Sequence, residues 1–549
     1  MKTEFSFADK NILIVEDQKP FQVMLKGMLK NMGARNVVVS PNGEQALVRC
    51  NEEKFDVIFI DYNLGDGRNG RQLFEELKER KLLPVHNVSM LVTGESELNM
   101  VIGAVEVRPD DYVVKPFSQN LLKQRVSRTW LKKQTLLPLL MYLDRDQLDK
   151  ALIQVDELSK TAPRLRTLIL KYKADILFKL GKFQELEAFL DQVLKVKSLN
   201  WALVYKSKLM RSKGKHGLAI KYSKEALSLS KLTIEAYDII ADCYLQNSET
   251  KPAYDWIRSG IEKSPFSVQR QYKLSSIAKL NKDYDVSIKA CNQVVELTSK
   301  SFRRDQKHLL NHIRNIIDIC ELEQDVNKKR KYNQEAIYAL QKSKHEQHVN
   351  AALKIEDFEQ ICMARLDSVN GLNYQAKRSF FELSAKFTNR KIDLPSNLLP
   401  DSVSLMLKIG EYEKAKEYAQ KVEMVKDDLD DFAIEMIARA RENAGENIDL
   451  VKTLNKKGIE DYHKGELHNS LKYFEQALNI APMNSGTALN LIQVLISLIE
   501  SEPRSRWQLI DRCRFIFKII DGMPLAQANN QRAMSLAEKF NTLVTEPKK

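Results

Sequence analysis

A few residues stand where their types and spacing could do chemistry together. Glu16 and Asp17 follow a short apolar run, Asn11 to Val15. Asp61 follows the run Asp56 to Ile60, Thr93 follows Val88 to Val92, and Lys115 follows Asp111 to Val114. Two or three carboxylates brought to one place attract a hard divalent cation that keeps several waters, and with no Cys or His among them Mg²⁺ suits the set better than zinc. A lysine and a hydroxyl beside such an ion can hold phosphoryl oxygens. A carboxylate in that company can act as a nucleophile toward phosphorus. All of this depends on the fold bringing positions 16 to 115 together.

The surrounding pattern supplies such a fold. The run Asn36 to Ser40 adds a fifth strand-like segment, and between the runs lie stretches of helical apolar spacing: Lys19 to Met32, Gly43 to Asn51, Gly70 to Arg80, Glu97 to Val105 and Ser118 to Lys132. Five strands interleaved with five helices in about 125 residues predict an α/β doubly wound five-stranded parallel sheet. Such sheets bind ligands outside the carboxyl ends of their strands, where the acids, Thr93 and Lys115 fall. An acidic pair after one strand is more often a solvated helix N-terminus. Its conjunction with Asp61, Thr93 and Lys115 argues for a site.

These residues resemble the receiver domain of two-component response regulators, a flavodoxin-like fold, and the resemblance covers Asn11 to about Arg128. It implies that Asp61 is the phosphoacceptor and that Glu16, Asp17, Asp61 and the main-chain carbonyl of Asn63 hold Mg²⁺. It also implies that Thr93 bonds the phosphoryl group, Lys115 neutralises it, and Tyr112 is the aromatic whose rotamer reports the state. Gly94 would leave room for the phosphate, and Lys115-Pro116 is a candidate cis peptide. The chain departs from the family at Gly65, where a proline is usual, and the loop Gly65-Asp66-Gly67-Arg68-Asn69-Gly70 reads one residue longer. That loop is expected to be more mobile, with unusual phosphorylation or dephosphorylation rates.

From about Leu131 the strand signals stop and the spacing is helical throughout. Turn segments at Asp144 to Leu148, Leu180 to Phe183, Ser212 to Gly214, Asn247-Ser248 and Asn281 to Tyr284 recur every 33 to 35 residues. A packing residue follows each turn (Ala151, Leu186, Ala219, Ala253, Ser287), and another lies seven further on (Leu158, Val193, Ala226, Gly260, Val294). A late copy, with Gly458, Tyr462, Gly465, Leu467, Ser470, Phe474, Ala477 and Pro482, resembles a tetratricopeptide repeat (TPR). Pro163 and Pro265 take the closing place in earlier copies, and a partial copy runs through Met406, Gly410, Tyr412 and Ala415. The sheet domain is therefore expected to be followed by an all-α tetratricopeptide-type helical-repeat solenoid. The expected division is a receiver domain over 1–128, repeats over 131–300, divergent or inserted repeats over 301–395, and further repeats with C-terminal helices over 396–549. No Gly/Pro/Ser-rich linker separates the Ser118 to Lys132 helix from the first repeat at Leu137.

Composition narrows the rest. Hydrophobic residues at 43% and charged residues at 29% over 549 residues indicate a folded chain. No apolar run reaches the ~18 residues of a membrane span. Met1-Lys2-Thr3-Glu4 opens no signal peptide, so the expectation is a cytoplasmic protein with no membrane partner. Six scattered cysteines form no C-x-x-C pair and read as reduced structural thiols. Met1 to Arg128 balances 18 Lys/Arg against 18 Asp/Glu, so the whole net charge of +13 lies beyond it. The clusters Lys328-Lys329-Arg330-Lys331 and Arg303-Arg304 read as solvated helix faces, and His308/His312 and His345/His348 as surface histidines. The resulting expectation is a response regulator of a two-component phosphorelay, phosphorylated by a histidine kinase or phosphotransfer protein and signalling through protein binding by the repeats. It would be no enzyme beyond self-phosphoryl transfer and autodephosphorylation, with homo-oligomerisation a further option. The rivals are a regulator whose basic helices bind nucleic acid, disfavoured because no DNA- or RNA-binding motif accompanies them, a receiver acting as a phosphate sink, and an enzyme hidden in the divergent middle.

Overall fold

The structure is a computed structural model that describes residues 5–94, 109–301, 304–344, 354–502, 505–520, 525 and 527–545. The chain divides into two compact units, Met1–Asp305 and Gln306–Lys549.

The first unit begins with strands β1 (Asn11–Val15), β2 (Asn36–Ser40), β3 (Val57–Asp61), β4 (Val88–Thr93) and β5 (Asp111–Val114). They pair in the order β2-β1-β3-β4-β5, all parallel. Alternate residues of a strand point to opposite faces, and the core divides accordingly. Ile12, Ile14, Val57 and Phe59 pack with Leu25 and Leu29 of α1 (Lys19–Asn31) and with Leu122 and Val126 of the Gln119–Asp144 helix. Leu13, Val15, Ile58 and Ile60 pack with Ala46 and Leu47 of α2 (Gly43–Glu52) and with Leu73, Phe74 and Leu77 of α3 (Gly70–Glu79). Helices on both faces make the sheet doubly wound, as the alternation of runs predicted. The expected helix Glu97 to Val105 lies outside the described residues. β3 and β4 each extend one residue past the expected end, so Asp61 and Thr93 are the last residues of their strands.

Beyond the sheet the chain is a succession of helices, arranged as helical hairpins. The expected Ser118 to Lys132 helix runs on to Asp144 through Pro138, and its Leu136 and Leu139 pack on Ala151 and Val155 of the next helix, Leu148–Thr161. Hairpin turns fall where the sequence period placed them. One residue in each adopts positive φ: Asp146, Gly181, Gly214, Ser248 and Lys282. That conformation ends a helix with a sharp reversal. The packing positions after the turns, Ala151, Leu186, Ala219 and Ala253, are all fully buried, and so is Ser287.

The second unit continues in the same manner. Hairpins Gln306–Leu322/Val326–Ser343 and Ile355–Val369/Asn373–Thr388 occupy the stretch where the sequence period fades. In the late copy a Cβ on Gly458 would lie 2.8 Å from the Phe474 ring, and the Ser470 hydroxyl donates to the Gly458 carbonyl at 2.7 Å. One expectation fails here. His308 is buried, and His312, which was expected at the surface, sits half-buried on the same helix with no hydrogen-bond partner for Nδ1 among the described residues. Residues on several sides of the helix Gln306–Leu322 are buried, so its histidines point inward. His345, His348 and Arg303 lie outside the described residues, while Arg304, Lys328, Arg330 and Lys331 are exposed as expected and Lys329 is half-buried. All six cysteines are free and buried. Among the described residues no helix is long and apolar enough to cross a membrane.

Candidate functional site

The strand order turns the chain in opposite directions on leaving β1 and β3, and this switch point is where the strand ends open a crevice. Glu16 follows β1, its main-chain N–H tied to the Ser40 carbonyl at 3.1 Å. Gln18 donates its main-chain N–H to the Glu16 carboxylate at 3.3 Å, and the Gln22 carboxamide donates to the Glu16 carbonyl at 2.6 Å, which fixes the turn into α1. Asp61 ends β3, and its carboxylate shares the crevice. Glu16, Asp17 and Asp61 each offer an oxygen within 4.8 Å of the others.

Lys115, just after β5, reaches into this acidic group. Its ammonium lies 2.7 Å from Glu16 Oε2 and 3.1 Å from Asp61 Oδ1, and 3.9 Å from the centre of the Phe21 ring. Its main-chain N–H donates to the Thr93 carbonyl at 2.7 Å, so the ends of β4 and β5 are joined at the site. The Lys115-Pro116 peptide is cis. Thr93 is buried at the end of β4. Tyr112 is half-buried against the α2/α3 side of the core, with the Arg125 guanidinium 5.8 Å from its ring. Asn63 is exposed at the start of the β3–α3 loop.

Burial raises the pKa of both Glu16 and Asp61. Lys115 opposes the rise, while Asp61 adds to it at Glu16 and Asp17 adds to it at Asp61. Among the described residues three carboxylates face one ammonium, so these groups together keep net negative charge in a poorly solvated place. That donor set fits a hard divalent ion, with Glu16, Asp17 and Asp61 as its carboxylate ligands.

The β3–α3 loop closes one side. Gly65 has φ +77°, and a Cβ there would lie 3.7 Å from Asp17 Oδ2. Arg68 binds Glu44 at 3.0 Å and the buried Glu76 at 2.9 Å. Asn69 caps α3 through a reciprocal pair with Gln72. Gly70, the first residue of α3, donates its N–H to the Tyr62 carbonyl at 2.8 Å, and a Cβ on it would sit 2.0 Å from the Asp61 carbonyl oxygen. Sequence reasoning missed Gly70, Phe21 and the Arg68–Glu76 pair. Gly70 directly after an Asn N-cap was the one local signal for such an approach. Around Gly94 a Cβ would meet nothing within 4 Å among the described residues.

A doubly wound α/β domain with an acidic crevice and Lys115 at its switch point is the class that fold and site define. Residues 12–127 match the family described as the response regulator receiver domain, and this segment is a receiver domain. The chemotaxis protein CheY of Pseudomonas aeruginosa is 29% identical over 117 residues, which are 21% of this chain and 93% of that protein. Among solved structures, the BeF₃-activated DrrB receiver domain is 30% identical, covering 22% of this chain and 96% of that one, with a TM-score of 0.20. The receiver domain of the Francisella response regulator 1452 is 23% identical, covering 23% and 98% respectively, with a TM-score of 0.21.

Proposed function

We propose that the chain is a response regulator of a two-component phosphorelay in which Asp61 accepts a phosphoryl group and the helical repeats carry the output by binding protein. The observation that carries this reading is the Lys115 ammonium held between Glu16 and Asp61, beside Asp17, at the switch point of a receiver fold. In the proposed division, 1–128 is the receiver, 131–300 and 396–549 are tetratricopeptide-like repeats, and 301–395 holds divergent ones. The setting is the cytoplasm, and the phosphodonor is a histidine kinase or phosphotransfer protein.

The chemistry follows from the side chains. One Asp61 carboxylate oxygen attacks the phosphorus of a phosphohistidine. The new O–P bond forms as the N–P bond breaks, and the imidazole leaves with its electron pair and takes up a proton. Lys115 shifts its ammonium from the Asp61 carboxylate to a phosphoryl oxygen, and the Thr93 hydroxyl donates to another. Glu16, Asp17, Asp61 and the Asn63 carbonyl are the residues that would hold Mg²⁺, which when bound offsets charge on the phosphoryl oxygens. Tyr112 is the switch aromatic. Attack by water on phosphorus later restores the carboxylate and releases phosphate.

Protein binding by the repeats draws support from a groove of about 880 Å³ in the second unit, lined by Tyr412, Val451, Asn455, Asn490 and Arg532 among others. Arg532 is half-buried and bonds the carboxamide oxygens of Asn490 (2.9 Å) and Gln493 (2.6 Å). Lys416 and Lys456 also face the groove. An extended, acidic segment of a partner protein suits this charge and shape.

The test is phosphorylation of the whole chain by a small phosphodonor with Mg²⁺. One phosphate should be added, Asp61→Asn should abolish it, and sedimentation or partner affinity should change about five-fold or more on phosphorylation. Label that persists in Asp61→Asn refutes the acceptor. Identical behaviour in both states, with Asp61 phosphorylated, leaves a phosphate sink.

A further inference from the structure

Within the Met1–Asp305 unit the receiver segment is not joined to the repeats by chain continuity alone. The helix Tyr284–Ser299 ends against the β3–α3 loop and the start of α3, more than two hundred residues away in sequence. Two hydrogen bonds cross in opposite directions. The Gln72 carboxamide nitrogen donates to the Leu297 carbonyl at 3.2 Å, and the Lys300 ammonium donates to the Asp66 carbonyl at 2.8 Å. The Arg71 guanidinium sits 5.4 Å from the centre of the Phe266 ring while paired with Glu75 at 2.6 Å. Arg71 and Gln72 are 5% and 7% exposed although they occupy the first turn of a helix, so the repeats cover this edge of the receiver.

Each bond meets a backbone group that needs a partner. The last carbonyls of a helix have no acceptor role within it, and Leu297 lies in the last turn of its helix. Gln72 works on both sides: its oxygen accepts from the Asn69 N–H at 3.1 Å, closing the α3 cap, while its nitrogen reaches the repeat. Gly70, two residues before Gln72, touches the Asp61 carbonyl oxygen so closely that no Cβ fits. Asp66 is next to Gly65, which faces Asp17 Oδ2. The repeats thus grip the loop that follows the acceptor at its middle, through Lys300, and at its far end, through Gln72.

We propose that this contact is an autoinhibitory clamp, in which Lys300 and Gln72 act as positioning residues that hold the β3–α3 loop and slow phosphoryl transfer at Asp61 until the clamp is released. The inference rests on Asp61 being the acceptor. A phosphoryl group adds negative charge and bulk beside this loop, so the loop must adjust when Asp61 is modified. A clamp that favours the unmodified arrangement opposes that adjustment. To the extent that the clamp disfavours the phosphorylated state at equilibrium, phosphorylation weakens the clamp by the same free energy. The route differs from one through the Gln119–Asp144 helix, because it acts on the acceptor's own loop.

The experiment uses the full chain and a small phosphodonor with Mg²⁺. Lys300→Ala should raise the phosphorylation rate about five-fold or more, as expected for a coupled contact of ordinary size. Lys300→Arg, which keeps a donor for the Asp66 carbonyl, should restore the original rate. Phe266→Ala, which removes neither hydrogen-bonding group, should raise the rate in the same direction by loosening the same edge. Hydrogen exchange at residues 63–69 should quicken in Lys300→Ala and, in the unaltered protein, on phosphorylation. Equal rates and equal exchange in Lys300→Ala and the unaltered protein overturn the clamp, as does an increase that Lys300→Arg does not reverse. Asp61→Asn is run beside them: label surviving there sinks the acceptor assignment and leaves the clamp without its site, an outcome separate from unchanged Lys300→Ala kinetics.

Discussion

Gly70 offers a sharp test of how the acceptor strand and α3 are joined. An alanine Cβ at this position would lie 2.0 Å from the Asp61 carbonyl oxygen, 2.8 Å from its carbon and 3.0 Å from Ile60 Cγ2. Two of the three obstacles are main-chain atoms of the central strand β3, which is fully buried and paired on both sides, so they cannot step aside. The helix must move instead. Its Leu73, Phe74 and Leu77 are packed against Ile58 and Ile60, and shifting them costs about 1 to 3 kcal/mol or more, the ordinary range for overpacking. Gly94→Ala is the matched control, since among the described residues its Cβ meets nothing within 4 Å and the expected cost is within about 0.5 kcal/mol. Gly65→Ala falls between, because there is space at 3.7 Å but φ is +77°, which costs an L-residue roughly 1 to 2 kcal/mol. Native-state hydrogen exchange of the α3 amides reads this locally, which matters in a chain of two units where one global unfolding energy is ill defined. Exchange should speed in the order Gly70→Ala, Gly65→Ala, Gly94→Ala, and phosphorylation at Asp61 should slow most in Gly70→Ala. A Gly70→Ala protein with the exchange and phosphorylation rate of Gly94→Ala would refute the close approach.

Two further outcomes follow from charges in the structure. Replacing both Glu16 and Asp17 by alanine should abolish the calorimetric heat of Mg²⁺ binding, and with it metal-dependent phosphorylation; intact binding would place the ion elsewhere. His312 has its pKa pushed down to about 4 by burial, with Lys342 adding to the effect. Between about pH 6.5 and 4 the unfolded chain therefore holds a proton there that the folded chain does not. The contribution of this group is intact above pH 6.5 and is lost as pH falls toward 4, by roughly 3 kcal/mol at about 1.36 kcal/mol per pH unit. Exchange of the Gln306–Leu322 amides at pH 7 and pH 4.5 should show the loss, and His312→Gln should flatten it; equal pH dependence in both proteins would contradict the burial.

Much of this architecture was legible in the sequence because the signals are local. Apolar runs of four or five residues marked the strands, with three of the five bounded to the residue. The repeat period placed the turns at Asp146, Gly181, Gly214, Ser248 and Lys282, where a backbone reversal needs positive φ, and the buried residues Ala151 to Ser287 after them. The acidic crevice was readable for a related reason. In a parallel sheet every strand's carboxyl end lies on the same edge, so residues 16, 61, 93 and 115 needed only their strands to be located.

Tertiary structure decided whatever depends on two segments meeting. No pattern around His308 or His312 tells that further helices pack over theirs. Nothing near Lys115 says that Phe21 lies beneath it. The Gln72–Leu297 hydrogen bond spans 225 residues, and neither end carries a mark of the other. Periodicity reports which face of an element is buried, since burial repeats with the element's own geometry. The identity of the covering segment is set by how whole elements stack, and that is a property of the folded chain alone.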